Sequence, residues 1–516
     1  MKRILAVLLA AALLVGTLCA CGGATSGSGS AASDETSSLS GEPHDNSIVV
    51  CIAQDLDESL DPYKMTAAGT REVLFNVYEG LVKVSSDGSI KEAVAESYTV
   101  SDDQLTYTFK LRKGVKFHNG DTVTVDDVLH SFDTCAATAI EASLVEALSN
   151  VESKEATDDS TIVIKLKRPM VEFIRYIAYV YITPKDYKDN KTHPVGTGPF
   201  KYVSRSVQEN VILEKNADYY GTPAYLDKVT FQIYEDPTVR DTALDSGSID
   251  LCNHMTNEEV AALSKKYKVQ EGLMNVAQGL YLNNAKKPFD NEKVRQALCY
   301  AIDRDAIMQM LNEGHGAKIG TAMYPALTEY FDESLNDTYT VDTEKAKSLL
   351  AEAGYPDGFT FTIRVPSNYA RHVQTAEIIV EQLKAIGVTA KIEQVDWSTW
   401  LDDVYGKRNY EATVIGFDAT TPTAAAMLQR YNSDAPNNMF NYSNKEYDKA
   451  YAKADNAKNA EEAIGLYKDC EKILADTAAS VYIQDMPDFV ALKKNLDGYN
   501  YYPMYAMDLS TVHYTD

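Results

Sequence analysis

Apolar and polar positions follow two periods along this chain, and the change from one to the other divides it. Leu105, Tyr107, Phe109 and Leu111 occupy every second position, the period of a strand with one buried face. Strand-like runs also cover 48–53, 162–166 and much of 200–233. Among them Val73, Leu74, Val77, Tyr78 and Leu81 recur at helical spacing and predict a helix over 70–81. Asn119-Gly120-Asp121 reads as a tight turn, and a second helix opens at Val125. The first half is therefore expected to be mixed α+β.

Beyond Asn283 the helical period takes over. Val294, Ala297, Leu298, Ala301 and Ile302 fall on one face of a predicted helix, with Asp290 placed to cap it. Another helix spans 343–353 and is closed by Gly354 and Pro356. Then strand-like 359–365, helical 373–386, strand-like 388–395, helical 397–405 and strand-like 410–417 form a βαβαβ series. Parallel strands with right-handed helical crossovers are the expected arrangement. Ligands of open α/β sheets sit beyond the carboxyl ends of the strands. Those ends carry Asn368, Tyr369 and Arg371, then Asp396 and Trp397, then Phe417 and Asp418. Aromatic faces, a guanidinium and carboxylates on one rim suit a zwitterionic, partly apolar small molecule. Trp400 is expected to point inward from its helix. Asp418 could equally cap a turn, and Arg371 could pair with a surface carboxylate.

Lys2 and Arg3 precede an apolar run over 4–18, the layout of a secretory leader and too short to span a bilayer comfortably. Leu18-Cys19-Ala20-Cys21 resembles the lipobox of bacterial lipoproteins, which implies cleavage before Cys21 and acylation of that residue. Residues 22–47 are dominated by Gly, Ser, Ala and Thr and cannot bury a core. Such a tether has a root-mean-square reach of roughly 25–30 Å.

Composition narrows the class. Lys plus Arg number 49 against 75 Asp plus Glu, a net of −26 that repels nucleic acid and anionic headgroups. Cys51, Cys135, Cys252, Cys299 and Cys470 are scattered without a CxxC, and the eight histidines form no HExxH or HxxxH. No metal, cofactor or disulfide framework is expected, and the cysteines read as small buried hydrophobes. No GxSxG lies between a strand and a helix, and Asp402-Asp403 reads as a solvated helix face, so an enzyme is not expected.

Three blocks then point to a family. They are 95–121 (AESYTVSDDQLTYTFKLRKGVKFHNGD) followed by Asp126-Asp127-Val128, Gly196-Thr197-Gly198-Pro199-Phe200 with 216–221 (NADYYG), and 288–298 (PFDNEKVRQAL) running on to Arg304. The chain resembles the family 5 extracellular solute-binding proteins of ABC importers, the dipeptide, oligopeptide and nickel class. The resemblance implies an α/β, two-lobed periplasmic-binding-protein-like fold with an extra subdomain in lobe I. Lobe I would comprise 48–278 and 483–516, and lobe II 279–482, with the ligand enclosed between them by hinge closure. The implied partners are a short peptide, an ABC permease and, through the lipid anchor, the membrane; a monomer is expected. A nickel chelate, an oligosaccharide or a peptide-sensing role are the alternatives. Peptide-binding members present a Gly-Trp-x-x-Asp-type loop, matched here by Gly416-Phe417-Asp418 with Phe in place of Trp and Thr421 where a second Asp is usual. By that resemblance Asp418 takes the peptide's amino group. Arg371 takes its carboxylate, and Thr70 and Arg71 line the cleft from the other lobe. The 95–121 block carries no ligand role.

Overall fold

The alternation at 105–111 becomes the strand Thr106–Leu111, whose Tyr107, Phe109 and Leu111 point into an apolar core. The computed structural model describes residues 45–515; the leader, Cys21 and the tether up to residue 44 lie outside the described residues. Thr106–Leu111 pairs with Ala95–Val100 and Thr161–Leu166 in a four-stranded antiparallel sheet. The helix Val125–Thr138 covers it, started by Thr124 and Asp127, whose side chain and backbone groups cap each other reciprocally. This body holds the 95–121 block.

Two larger sheets carry the rest. A seven-stranded sheet has Ser47–Ile52 near its centre, parallel to Lys228–Ile233 and Leu251–Met255. Ser47 begins that strand, its carbonyl accepting from the Tyr514 hydroxyl at 2.8 Å, so the strand starts one residue earlier than the apolar pattern suggests and takes in the last residue assigned to the tether. A six-stranded sheet is built on Ala277–Leu282, every residue of which is buried. Within it Thr360–Pro366 runs parallel to both neighbours, Thr389–Val395 and Ala412–Phe417, as the βαβαβ reading expects.

The chain crosses between the two large sheets twice, from Leu273 to Ala277 and from Asp485 to Pro487. The crossings are tied side by side. The Met274 N–H donates to the Met486 carbonyl at 2.9 Å, and the Val276 N–H donates to the Asp485 carboxylate at 3.0 Å. A second contact joins the two bodies away from the crossings. Glu172, 4% exposed, accepts from the Ala424 and Ala425 N–H groups at 2.8 and 3.1 Å, and Arg168 pairs with Asp455 at 2.8 Å.

Three helices depart from their periodicity. The one expected over 70–81 ends at Leu74, because the buried Asn76 amide donates to the Val73 carbonyl at 3.2 Å and to the Met507 carbonyl at 2.7 Å. A side chain fastened to the far end of the protein replaces the next helical turn. Asn291, rather than Asp290, caps Glu292–Ala301, accepting from the Lys293 N–H at 3.0 Å. The helix after Thr389–Val395 makes one turn, Trp397–Thr399, and then widens into a π-helix over Trp400–Gly406. All five cysteines among the described residues are buried and unbridged. No helix among the described residues is long and apolar enough to cross a membrane.

Candidate ligand site between the two sheets

Strands Thr360–Pro366, Thr389–Val395 and Ala412–Phe417 run in one direction, so their carboxyl ends share an edge. That edge borders a cavity of about 560 Å³, within the range of small-molecule sites. Tyr369, Arg371, His372, Trp397 and Asp418 line it from the six-stranded body. Thr66, Ala68, Arg71 and Tyr505 line it from the other body, and Met274, Val276 and Met486 of the crossings form its back. Five of the seven residues expected at the site therefore meet here: Arg71, Tyr369, Arg371, Trp397 and Asp418.

Thr70 and Phe417 face elsewhere. Thr70 is fully buried, and its hydroxyl accepts from the Asp57 N–H at 2.8 Å. The Phe417 ring lies 4.9 Å from Tyr281, and the Arg430 guanidinium sits 4.6 Å over its face. Successive side chains of a strand point to opposite faces, so placing Asp418 in the cavity turns its neighbour toward the core.

One wall is aromatic. Tyr369 and Trp397 remain 41% and 37% exposed and meet edge-to-face at 5.3 Å. Trp397 stacks on Trp400 at 5.1 Å with the planes 4° apart. Trp400 is core, as its helical position suggests, 2% exposed with its indole N–H donating to Thr413 at 3.0 Å. The exposed ring is thus braced by a buried one.

The charges are set differently. Arg371 stands in the first turn of Ala370–Leu383, and no carboxylate lies within ion-pair distance among the described residues. Its guanidinium donates instead to the side-chain oxygens of Asn312 and Asn257, the latter from the opposite body at 3.5 Å. Behind Asn312 runs a buried relay of amides. Asn312 donates to Gln484, Gln484 to Gln278, and Gln278 to the His372 imidazole, each at 2.8 Å. Burial pushes His372 down to about 4, so the ring is neutral and its Nδ1 can accept. Each member of this relay is hydrogen-bonded to the next, and a neutral network aims Arg371 at the cavity without cancelling its charge. These relay residues lie up to 206 positions apart and carry no local signal in the sequence.

Asp418 has neither a hydrogen bond nor an ion pair among the described residues, and Arg71 donates only to the Thr66 carbonyl at 3.0 Å. The cavity thus presents cations and an anion that the protein leaves unmatched. A larger groove of about 760 Å³ beside the turn at 119–121 lies within one body, and its Lys185 is already paired with Asp126 at 2.8 Å.

Next to the cavity, His254 is held between two buried carboxylates, 2.7 Å from Glu72 and 3.1 Å from Asp488, with its ring 5.8 Å from Tyr505. Burial opposes charge on this ring, but the two carboxylates outweigh it and hold its pKa well above the ordinary histidine value. A raised folded-state pKa contributes stability that is fully present below about 6.5 and is lost as pH rises through the folded value. His254→Leu is expected to cost about 2 kcal/mol near neutrality, less than a fully enclosed pair because 36% of the imidazole stays exposed. Urea midpoints of the two proteins should converge as pH is raised into the alkaline range. A gap that is constant or widens with pH would reject this account.

Comparison with known proteins agrees with this geometry. The family profile of bacterial extracellular solute-binding proteins, family 5, matches residues 89–439. The glutathione-binding protein GsiB of Salmonella typhimurium is 31% identical over 472 residues, covering 88% of this chain and 91% of that protein. The ABC transporter substrate-binding protein CtaP of Listeria monocytogenes superposes with a TM-score of 0.82 at 26% identity, over 91% of this chain and 99% of its own. The transporter-associated periplasmic binding protein DppA of Helicobacter pylori, solved with the peptide STSA, gives 0.74 at 30% identity, over 91% and 98%. A two-lobed fold with an unmatched polar cavity between its sheets, and a matching profile over most of the chain, lead to one conclusion: this chain belongs to the family 5 extracellular solute-binding proteins, which serve ABC importers as binding proteins and not as enzymes.

Proposed function

We propose that this protein captures short peptides between its lobes and delivers them to an ABC permease. The observation that carries the reading is the set of unmatched charges in the interlobe cavity: the Asp418 carboxylate awaits an ammonium, and the Arg371 guanidinium awaits a carboxylate. A volume of about 560 Å³ suits a peptide of a few residues, and the Tyr369–Trp397 wall accepts an apolar side chain. The peptide bound by the Helicobacter pylori relative and the glutathione named for the Salmonella one are ligands of this kind.

In this reading lobe I is the body of the seven-stranded and four-stranded sheets, and lobe II is the body between the crossings. Residues 274–276 and 486 form the hinge. Ligand that touches both lobes favours the closed form. Contacts such as Glu172 with the start of Ala424–Leu428 hold that form together. The protein is anchored outside the cytoplasm by a lipid on Cys21.

The test is to purify the full chain in detergent, denature it, and identify what is released by mass spectrometry. Peptides in a narrow length range are expected, and calorimetry with those peptides should return micromolar or tighter binding. A released sugar or nickel chelate, or no binding to any short peptide, would overturn the assignment. The same spectra read the anchor: residues 1–20 should be missing and acyl mass present on Cys21.

A further inference from the structure

The charged groups that line the interlobe cavity do not balance. Lobe II contributes one cation, Arg371, and one anion, Asp418, which together match the two ends of any peptide. Lobe I contributes Arg71 and nothing to offset it, since Thr66, Ala68 and Tyr505 are neutral. His372 adds no charge, because its ring is buried and accepts from Gln278 at 2.8 Å. One guanidinium is left in excess.

No nearby acid pairs with Arg71, and the Asp57 carboxylate closest to it along the chain is taken up by Thr66 and by the Ala67 N–H. Glu72 and Asp488 are turned to His254 at 2.7 and 3.1 Å; one imidazolium leaves one of these two charges over, but neither carboxylate reaches Arg71. Asp485 lies behind the cavity wall, fully buried, and accepts from the Val276 N–H. Its second oxygen has no partner, and burial pushes its carboxyl well above the usual range, toward the neutral form. The Arg71 guanidinium forms no ion pair among the described residues, and its one hydrogen bond there, to Thr66, is to an uncharged carbonyl. This lone cation stands out in a chain whose net charge is −26.

Closure makes the imbalance matter. When the lobes shut on a ligand with one ammonium and one carboxylate, Arg71 loses water and gains no counter-charge, which is costly in a low-dielectric site. A second carboxylate on the ligand removes that cost, and a planar guanidinium is well shaped to receive it. Because Arg71 and Arg371 stand on opposite lobes, such a ligand would also bridge the cleft.

We propose that the preferred ligand is a short peptide carrying one ammonium and two carboxylates, with Arg71 selecting the second carboxylate. This rests on the peptide reading above and deepens it. An acidic residue at any position, or a γ-glutamyl linkage, supplies the required group; the cavity chemistry specifies the count of charges.

Isosteric pairs test it. The full chain in detergent is titrated by calorimetry, at low ionic strength, with Glu-Ala-Ala, Ala-Glu-Ala and Ala-Ala-Glu and with their Gln counterparts, and with glutathione. At least one Glu peptide is expected to bind tenfold or more tighter than its Gln partner, or glutathione to bind tenfold or more tighter than every Gln peptide. Arg71→Gln should bring that ratio down to about one, whatever loss is common to both ligands, while Arg71→Lys should retain most of it. Arg371→Gln should weaken acidic and neutral peptides alike. If the wild-type protein binds Glu and Gln peptides equally and prefers no two-carboxylate ligand, this proposal fails and peptide binding stands. If the preference survives Arg71→Gln, the role given to Arg71 is wrong. If none of these ligands binds the wild-type protein, the peptide reading fails as well.

Discussion

Asp418→Asn is expected to weaken short-peptide binding on the order of a hundredfold while leaving the unfolding midpoint where it was. The two halves of that result have separate causes. The carboxylate lines the cavity at the end of Ala412–Phe417 and takes no hydrogen bond or ion pair among the described residues, so its charge contributes little to the folded state. In the closed complex it would face a desolvated ammonium. Removing one partner of a buried charge pair costs about 2–5 kcal/mol, and each 1.4 kcal/mol is tenfold in affinity. Asparagine keeps the shape, so the loss reports charge. N-acetylation of the peptide should produce a similar loss, and the two changes together should cost little more than either alone, as two halves of one interaction do. Unchanged affinity in a folded Asp418→Asn protein, or fully additive losses, would move the amino-group site elsewhere.

The second large effect is expected at Trp400. Its ring is enclosed, hydrogen-bonded to Thr413 and stacked under Trp397. Trp400→Ala opens a cavity and should cost about 3–5 kcal/mol in urea unfolding, the usual range for a buried aromatic truncated to alanine. It should also weaken peptide binding, because Trp397 loses the surface that orients it. Trp397→Ala is the control. Its ring is 37% exposed, so the same truncation should cost less, about 2 kcal/mol. It should nevertheless lower affinity, since an aromatic wall of the site is gone. Equal stability losses in both variants would mean that the stacked pair does not divide into a brace and a contact. The π-helix beginning at Trp400 fits this division, because widening the helix there allows the two rings to lie parallel.

Much of the architecture was already present in local pattern. The alternation at 105–111, the parallel βαβαβ series and the inward position of Trp400 follow from period, length and breaker residues, which act over a few positions. The rule that ligands collect at the carboxyl ends of parallel strands brings Tyr369, Arg371, Trp397 and Asp418 to one rim on the sequence alone. The three family blocks marked the fold, yet the strongest of them, 95–121, builds a sheet body and contributes no residue to the cavity.

Tertiary structure decided the rest, for reasons that local pattern cannot hold. The helix from Ala68 stops at Leu74 because Asn76 reaches the Met507 carbonyl. Thr70 and Phe417 turn inward because each adjoins a residue that faces the cavity, and one step along a strand or helix changes the face. Arg371 is held by amides from Asn312, Gln484 and Gln278, so its freedom from any carboxylate emerges only when those segments meet. Residue types and spacing by themselves placed Arg371 and Asp418 at the rim of the cleft, and the family resemblance added Arg71. Which of them stay unmatched there depends on partners hundreds of positions away, and that is a property of the folded chain alone.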